Sequence, residues 1–397
     1  MGSLIAALRR INTACLHDFS KSAFAPDVSM MPGMESLFGG TYSGRRVLVT
    51  GHTGFKGSWL VTWLQAIGAQ VSALSLAAET RPNHYQLLDL KLYERAVDVR
   101  NARAVRAALQ EFQPEIVFHL AAQALVRQSY TDPVSTFDIN VMGLVNVLEA
   151  IRVTPSVCAV VSITSDKCYR QRNTSAPCTE NDPLGGHDPY SASKACAEIV
   201  AESYRVSFLS SRHGAPVAMA TARAGNVIGG GDWSADRLIP DLARAANEKR
   251  VVPIRNPKAV RPWQHVLEPL SGYLLLGQRL LATTDVDTRC PNAWNFGPEH
   301  DGHLTVAEVI DGFSRHWSDV QCEMDTAPHP HEAELLHLNC EKARVGLNWR
   351  PVWNANEMLA RTAAWYRAWY ESGSVRTRSD LVDYVRDARA ANVAWAA

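Results

Sequence analysis

The 397-residue chain has no excess of charge of either sign, with 40 Lys and Arg against 40 Asp and Glu. That balance argues against nucleic acid or a membrane surface as a general partner, although it leaves room for a local basic pocket that takes a diphosphate. Cysteines are few and scattered. The eight, at 15, 158, 168, 178, 196, 290, 322 and 340, form no CxxC pair and no Cys/His group with zinc spacing. Several lie in apolar runs, where a thiol packs as a small hydrophobe, so reduced thiols in a cytoplasmic protein are expected and no metal is. No apolar run reaches the roughly 18 residues that suggest a membrane span. Met1 to Leu8 is too short for the apolar part of a signal peptide, and Arg9 and Arg10 follow it rather than precede it. Internal repeats and low-complexity tracts are missing too. What remains is a composition ordinary for a globular enzyme, 46% hydrophobic and 20% charged, and long enough for one large domain or two moderate ones.

Periodicity is weak from Ile11 to Gly40, so residues 1–44 read as a disordered or start-site extension, with Met34 an alternative start and order beginning near Arg45. From there short β-rich runs alternate with helical patterns. Val47–Thr50, Val71–Leu76, Ile116–Leu120, Val157–Thr164 and Val217–Arg223 read as strands. Between them, Leu60, Trp63, Leu64 and Ile67, then 102–112, then Val141, Leu144, Val145, Leu148 and Ile151, then Ala192, Ala195, Cys196, Ile199 and Val200 fall at helical spacing. This rhythm predicts an α/β fold with a doubly wound parallel sheet over residues 45–223. The rhythm fades after Gly225. Residues 224–397, with helices at 306–317 and 358–370, are expected to form mainly a smaller substrate-binding domain over the carboxyl ends of the strands. A segment near 260–282 is expected to return to the first domain.

Three clusters carry chemistry. The first is Gly51-His52-Thr53-Gly54-Phe55-Lys56-Gly57, directly after the first strand and opening the first helix. Gly51 permits a tight turn, Gly54 lets a pyrophosphate approach the backbone, and Gly57 allows close packing of helix on strand. The helix N-terminus adds amide donors and a favourable dipole. The second is Tyr190-Ser191-Ala192-Ser193-Lys194, whose spacing of four puts Tyr and Lys on one helix face. There Lys194 is expected to hold a cation near the phenol and lower its pKa, so that Tyr190 can exchange a proton. The third is Ser165-Asp166-Lys167, at the end of the strand before that helix. A charged pair at a strand end is also a common solvated turn, and YxxxK also arises at an exposed helix start. Their arrival together, in order, behind a glycine turn favours the chemical reading.

The GxxGxxG spacing, the YxxxK helix and the Ser165 position resemble the extended branch of the short-chain dehydrogenase/reductase family, from about Arg45 to about Tyr370. That resemblance implies a Rossmann-type fold, bound NAD and a nucleotide-sugar substrate. It implies that Asp98 and Val99 contact the adenosine half, that Leu120-Ala121-Ala122-Gln123 lies beside the cofactor ribose, and that Ser165, Tyr190 and Lys194 form a catalytic triad. Nucleotide-sugar 4,6-dehydratases carry an acid–base pair after the Ser or Thr, usually Asp-Glu. Asp166-Lys167 in that place is similar to the CDP-glucose 4,6-dehydratases, as are the segments 223–233, 261–265, 294–297 and 329–332. In such an enzyme Asp166 is the acid that protonates the departing C6 hydroxyl, and Lys167, when neutral, is the base at C5. The resemblance further implies a homodimer or homotetramer, cytoplasmic, acting in deoxysugar and lipopolysaccharide-type biosynthesis. Asn226, Arg237, Arg261, His331 and Glu332 are expected to contact the substrate, the two arginines because guanidinium binds phosphate bidentately.

Departures accompany it. Ser75 and Leu76 stand where an acid after the second strand marks NAD, with Glu79 and Arg81 near, so the residues alone leave NAD against NADP open. Asn339 stands where an Asp is expected. A 4-epimerase or reductase on the same fold is the neighbouring reading, against which the Asp166–Lys167 pair argues. A regulatory NAD(P) sensor without chemistry is the reading from another class, and it has no need of Ser165, Tyr190 and Lys194.

Overall fold

The computed structural model describes residues 33–170, 176–212, 216–283, 292–325 and 337–397. Its frame is a seven-stranded parallel sheet. In chain order the strands are β1 (Arg46–Thr50), β2 (Gln70–Ser75), β3 (Tyr93–Ala96), β4 (Ile116–His119), β5 (Ala159–Ile163), β6 (Ala218–Ala224) and β7 (Ala293–Phe296). Their spatial order is β7-β6-β5-β4-β1-β2-β3. Val47 lies opposite Val71 on one side and Ile116 on the other. β4, β5 and β6 are buried along their whole length, whereas edge strand β3 is mostly exposed. Burial on both faces explains why the central strands read as continuous apolar runs rather than alternating ones.

Alternate residues feed two cores. Val47 and Val49 pack with Trp59, Trp63, Phe118, Val161 and Tyr273 on one face. Leu48 packs with Leu74, Leu109, Val117, Leu148 and Val160 on the other. The main helices are α1 (Phe55–Ala66), α2 (Ala102–Phe112), α3 (Gly143–Arg152), α4 (Pro189–Tyr204), α5 (Leu267–Leu281), α6 (Ala355–Ser372) and α7 (Thr377–Ala390). The first core takes α1 and α5, the second α2, α3 and α4. The expected doubly wound sheet is therefore present. Its topological switch point falls between β1 and β4, where a crevice opens at the strand ends.

Order starts earlier than the missing periodicity suggests. Met34, Leu37, Phe38 and Tyr42 are buried, Phe38 stacks on Trp395 at 5.2 Å, and the Tyr42 hydroxyl donates to the Leu274 carbonyl. This segment is a 3-10 turn with Phe38 and Gly39 in left-handed conformations, so it has no period to detect. Placing residues 33–44 in a disordered extension is corrected accordingly; residues 1–32 lie outside the described residues. The second half also returns further than the 260–282 segment. Besides α5, the short run Ala293–Phe296 adds the seventh strand beside β6. One stretch, Pro133–Arg152, is long and apolar enough by composition to cross a membrane. It is instead built into the fold, where buried Asn140 donates to the Gln123 carbonyl and to Ser193 Oγ.

Candidate active site

The glycine turn has the shape that its spacing implies. Gly51 leaves β1 at φ +77°, and a Cβ there would come within 2.7 Å of the Ala121 amide; at Gly57 a Cβ would meet the Gly51 carbonyl at 2.1 Å. Both positions are closed to any side chain by packing. Gly54 differs, since its Cβ would touch only the Gly51 carbonyl at 3.4 Å. Its bare backbone leaves the cavity side open instead. Gly54 is also the N-cap of α1 and offers no side chain to cap it. The first amides of α1 therefore meet a cavity lined by Gly51, Thr53, Gly54, Phe55, Lys56 and Gly57, which is a cradle for an anion.

Asp98, Val99, Leu120, Ala121, Ala122 and Gln123 line the same cavity. Thr53 is fixed by Ser75 Oγ at 2.7 Å and by donating to the Leu76 carbonyl at 3.0 Å. Gln123 is held by its amide to Asn140 Oδ1 and its side chain to Thr136 Oγ1, both 2.9 Å. Arg100 hydrogen-bonds to Asp98 and holds that carboxyl below its ordinary range. Ser75, Leu76 and Glu79 reach the wall, and Arg81 is not among its lining residues. The elongated cradle fits a dinucleotide, and the cation that would favour a 2′-phosphate is not on its wall.

A second cavity adjoins the first. Lys56, Thr164, Tyr190 and Arg237 line both, so the two meet at the phenol. Ser165, Asp166 and Lys167 line the second cavity from the end of β5. Ser165 caps a 3-10 turn over Asp166–Cys168, its Oγ accepting from the Lys167 amide at 3.2 Å and donating to Asp166 Oδ1 at 3.0 Å. Tyr190 sits in the first turn of α4, which starts at Pro189 and is capped by Asp188 through the Ser191 amide at 2.9 Å. Lys194, one turn on, donates to the Ile163 carbonyl at 3.3 Å.

The electrostatics qualify the expected roles. Burial pushes the Tyr190 phenol up to about 12, opposed first by the Ser165 hydroxyl and then by the Arg237 charge. Lys194, expected to activate the phenol, donates its amine to the strand carbonyl of Ile163 in this structure, and Ser165 and Arg237 act on the phenol beside it. Burial lowers Lys194 to about 8, and Glu198 opposes that fall. Burial raises the Asp166 carboxyl, against the pull of Lys167, Ser165, Arg261 and Lys56. Its Oδ2 has no hydrogen-bond partner among the described residues, as befits a buried acid waiting for a substrate group.

Asn226, Arg237 and Arg261 all lie on the wall of the second cavity. Arg237 donates to Asp232 Oδ2 at 2.9 Å, and buried Arg261 donates to the Val260 carbonyl at 2.9 Å. His331 and Glu332 lie outside the described residues. Asn339 has a local task in this structure, its Oδ1 accepting from the Glu341 amide at 2.8 Å. Two residues exceed their sequence reading. Lys56 was taken as part of the cofactor turn, but its side chain also reaches the sugar side, and burial, with Arg237 and Lys194 adding to it, lowers its amine to about 7. A lysine in the first helical turn, where the dipole disfavours a cation, was the signal for it. Glu198, which was not singled out, lies buried beneath the site.

Comparison with known proteins agrees with this geometry. The family model described as GDP-mannose 4,6 dehydratase matches residues 48–362. A CDP-glucose 4,6-dehydratase from Salmonella typhimurium is 46% identical over 353 residues, covering 87% of this chain and 97% of that protein. Among solved structures, a UDP-glucose 4-epimerase of Thermus thermophilus in complex with NAD superposes with a TM-score of 0.69 at 27% identity, covering 81% of this chain and 99% of that one. A dTDP-glucose 4,6-dehydratase of Streptomyces venezuelae with NAD bound superposes at 0.68 and 26% identity, covering 82% and 99%. With the glycine cradle, the Tyr190–Lys194 helix and the Asp166–Lys167 turn gathered at one switch point, the chain belongs to the GDP-mannose 4,6-dehydratase family of the extended short-chain dehydrogenases/reductases.

Proposed function

We propose that the chain is a CDP-glucose 4,6-dehydratase, a lyase that converts CDP-D-glucose to CDP-4-dehydro-6-deoxy-D-glucose and water. The observation that carries the reading is the buried, half-unpartnered Asp166 beside Lys167 on the same cavity wall as Ser165 and Tyr190. An epimerase needs the triad and has no use for an added acid–base pair.

Gly51, Gly54, Gly57 and the first amides of α1 hold the pyrophosphate of NAD, Asp98 and Val99 the adenosine half, and Lys194 the nicotinamide ribose. When bound, NAD supplies the hydride acceptor for C4, and it is restored when the hydride is delivered to C6. Tyr190 takes the proton from the sugar O4, aided by the Ser165 hydroxyl, Lys194 and the Arg237 charge. The resulting 4-keto group acidifies the C5 proton, which Lys167 removes and gives back to C5 when C6 receives the hydride. Asp166, whose carboxyl burial raises, protonates the departing C6 hydroxyl. Asn226, Arg237 and Arg261 take the diphosphate and ribose, with His331 and Glu332 nearer the nucleotide. The protein works in the cytoplasm with its cysteines reduced. It pairs as a homodimer or homotetramer through the face that exposes Tyr130, Val134, Phe137, Met142, Ile199, Val206 and Phe208.

The test is a panel of CDP-, dTDP-, UDP- and GDP-glucose scored for a 4-keto-6-deoxy product by its chromophore in base. CDP-glucose is expected to be consumed far faster than the others. Equal rates with dTDP-glucose would remove the nucleobase assignment and keep the reaction. Epimerised sugar without loss of water would point to the epimerase, and no product from any of them to a sensor.

A further inference from the structure

Tyr190, Lys194 and Glu198 are spaced by four along α4, so they share one helix face. Tyr190 and Lys194 reach a cavity, whereas Glu198 lines neither and is 4% exposed. Its carboxylate is fully engaged. It accepts from the Thr164 hydroxyl, from Thr221 Oγ1 at 2.7 Å and from Arg223 Nη2 at 2.7 Å. Thr164 immediately precedes Ser165, and Thr221 and Arg223 lie on β6. Arg223 continues the network, donating to the Tyr169 hydroxyl at 2.8 Å and the Glu180 carbonyl at 3.2 Å, and Tyr169 donates to Asn295 Oδ1 on β7 at 2.7 Å. One carboxylate thus ties the helix with Tyr190 and Lys194 to the strand end with Ser165.

A buried ion pair is not in itself a gain in stability, since a well-packed apolar pair often serves as well. What an apolar pair would not supply is negative charge one turn from Lys194. The groups acting on or acted on by that ammonium come from four elements. Glu198 shares its helix, Cys168 follows β5, Lys56 is on α1 and His119 is on β4. Burial keeps the Cys168 thiol protonated, and burial, with the Lys194 charge adding to it, keeps His119 neutral; Lys56 shares Lys194's sign. Glu198 is therefore the anion that balances Lys194 among the described residues.

We infer that Glu198 is a positioning residue for the oxidation step, anchoring the Tyr190–Lys194 helix to the Ser165 strand end and setting a carboxylate one helical turn from Lys194. The inference rests on the reading of Tyr190 and Lys194 given above. Glu198→Gln removes the charge but strands Arg223, so Glu198→Gln/Arg223→Gln accompanies it and leaves no lone buried cation. In the folded variants the alkaline limb of kcat/KM for CDP-glucose moves down by about one pH unit, the effect of losing an opposite charge one helical turn away. Titration of the Lys194 amine by NMR, in protein with isotopically labelled lysine assigned against Lys194→Met, shows the same displacement without turnover. A folded variant with the parent's limb and the parent's Lys194 titration overturns the inference. If neither variant folds, Thr164→Val/Thr221→Val frees the carboxylate from its hydroxyl anchors while keeping its charge. Lowered turnover with an unmoved limb supports the anchoring, and the parent's turnover refutes it. Tyr190→Phe with full activity would instead defeat the underlying reading, whatever Glu198 does.

Discussion

Replacing Lys167 by methionine separates oxidation from elimination. The substitution keeps the unbranched stem and removes only the amine. Lys167 sits in the 3-10 turn, where its backbone amide donates to Ser165 Oγ at 3.2 Å, and that contact survives the change. Ser165, Tyr190 and Lys194 are untouched, so the hydride still leaves C4. Lys167 is also the strongest opposing influence on the burial-raised Asp166 carboxyl. Its loss lifts that carboxyl further, which favours the protonated form and leaves the acid competent. The missing function is the base at C5. Loss of a general base costs about 10²–10⁴-fold, or about 3–5 kcal/mol on the barrier. Mixing the variant with CDP-glucose is expected to accumulate reduced nicotinamide and a 4-keto-glucose nucleotide, followed by stopped-flow absorbance and mass spectrometry of quenched sugar. Normal turnover would show Lys167 to be a turn residue with the base elsewhere. No reduced nicotinamide at all would place it in oxidation or in cofactor binding.

Tyr190→Phe is expected to bind NAD as the parent does and to retain less than about a tenth of its turnover; a higher residual rate counts against the phenol as the base. A chain beginning at Met34 is expected to fold and turn over normally, whereas one beginning at Arg45 loses buried Leu37, Phe38 and Tyr42 and unfolds at lower denaturant, since a buried aromatic contributes about 3–5 kcal/mol. Glu268 provides a pH test. Burial raises its carboxyl to about 7 from the ordinary 4.5, so the folded state holds a proton in that window that the unfolded state releases. Its contribution is full below 4.5 and is lost as pH rises through 7. Relative to the parent, Glu268→Gln is therefore expected to gain up to about 3 kcal/mol between those pH values in urea unfolding. A pH-independent difference between the two proteins would show that the carboxyl titrates alike in both states.

Most of the frame was legible because buried parallel strands and amphipathic helices leave strong periods. Residues 102–112 and the runs ending at Thr50 and Arg223 needed nothing else. The cofactor wall was legible through glycines whose missing side chains are steric demands, as at Gly51 and Gly57. The elements not read had weaker signals. β3 is a mostly exposed edge of four residues, and β7 is a four-residue run whose strand character comes from pairing with β6. The turn at Leu37–Gly40 has no period because left-handed residues break it. α7 is a different case, since Leu381, Tyr384, Val385 and Ala388 do fall at helical spacing and bury one face. Site residues were legible where local spacing brought them together, as with Tyr190 and Lys194. Glu198, one turn further along the same face, shows its purpose only through Thr164, Thr221 and Arg223, which reach it across the sheet.

The same frame superposes on an epimerase and a dehydratase almost equally well, so the reaction is not decided by the fold. It is decided on a three-residue turn at the end of β5. Ser165 has two tasks there. On the proposed mechanism its hydroxyl acts on Tyr190 across the same cavity wall, and its hydrogen bonds to Asp166 Oδ1 and the Lys167 amide set the turn that presents the acid and the base. The oxidation machinery and the elimination machinery are therefore mechanically joined at one side chain. A Ser165→Ala variant is expected to lose both activities together, unlike Lys167→Met, which loses elimination alone. Transient kinetics on the two variants with CDP-glucose makes the comparison. If Ser165→Ala were to slow oxidation yet eliminate water normally from a supplied 4-keto nucleotide sugar, the turn would be held by something other than Ser165, and the coupling argued from its two hydrogen bonds would fall.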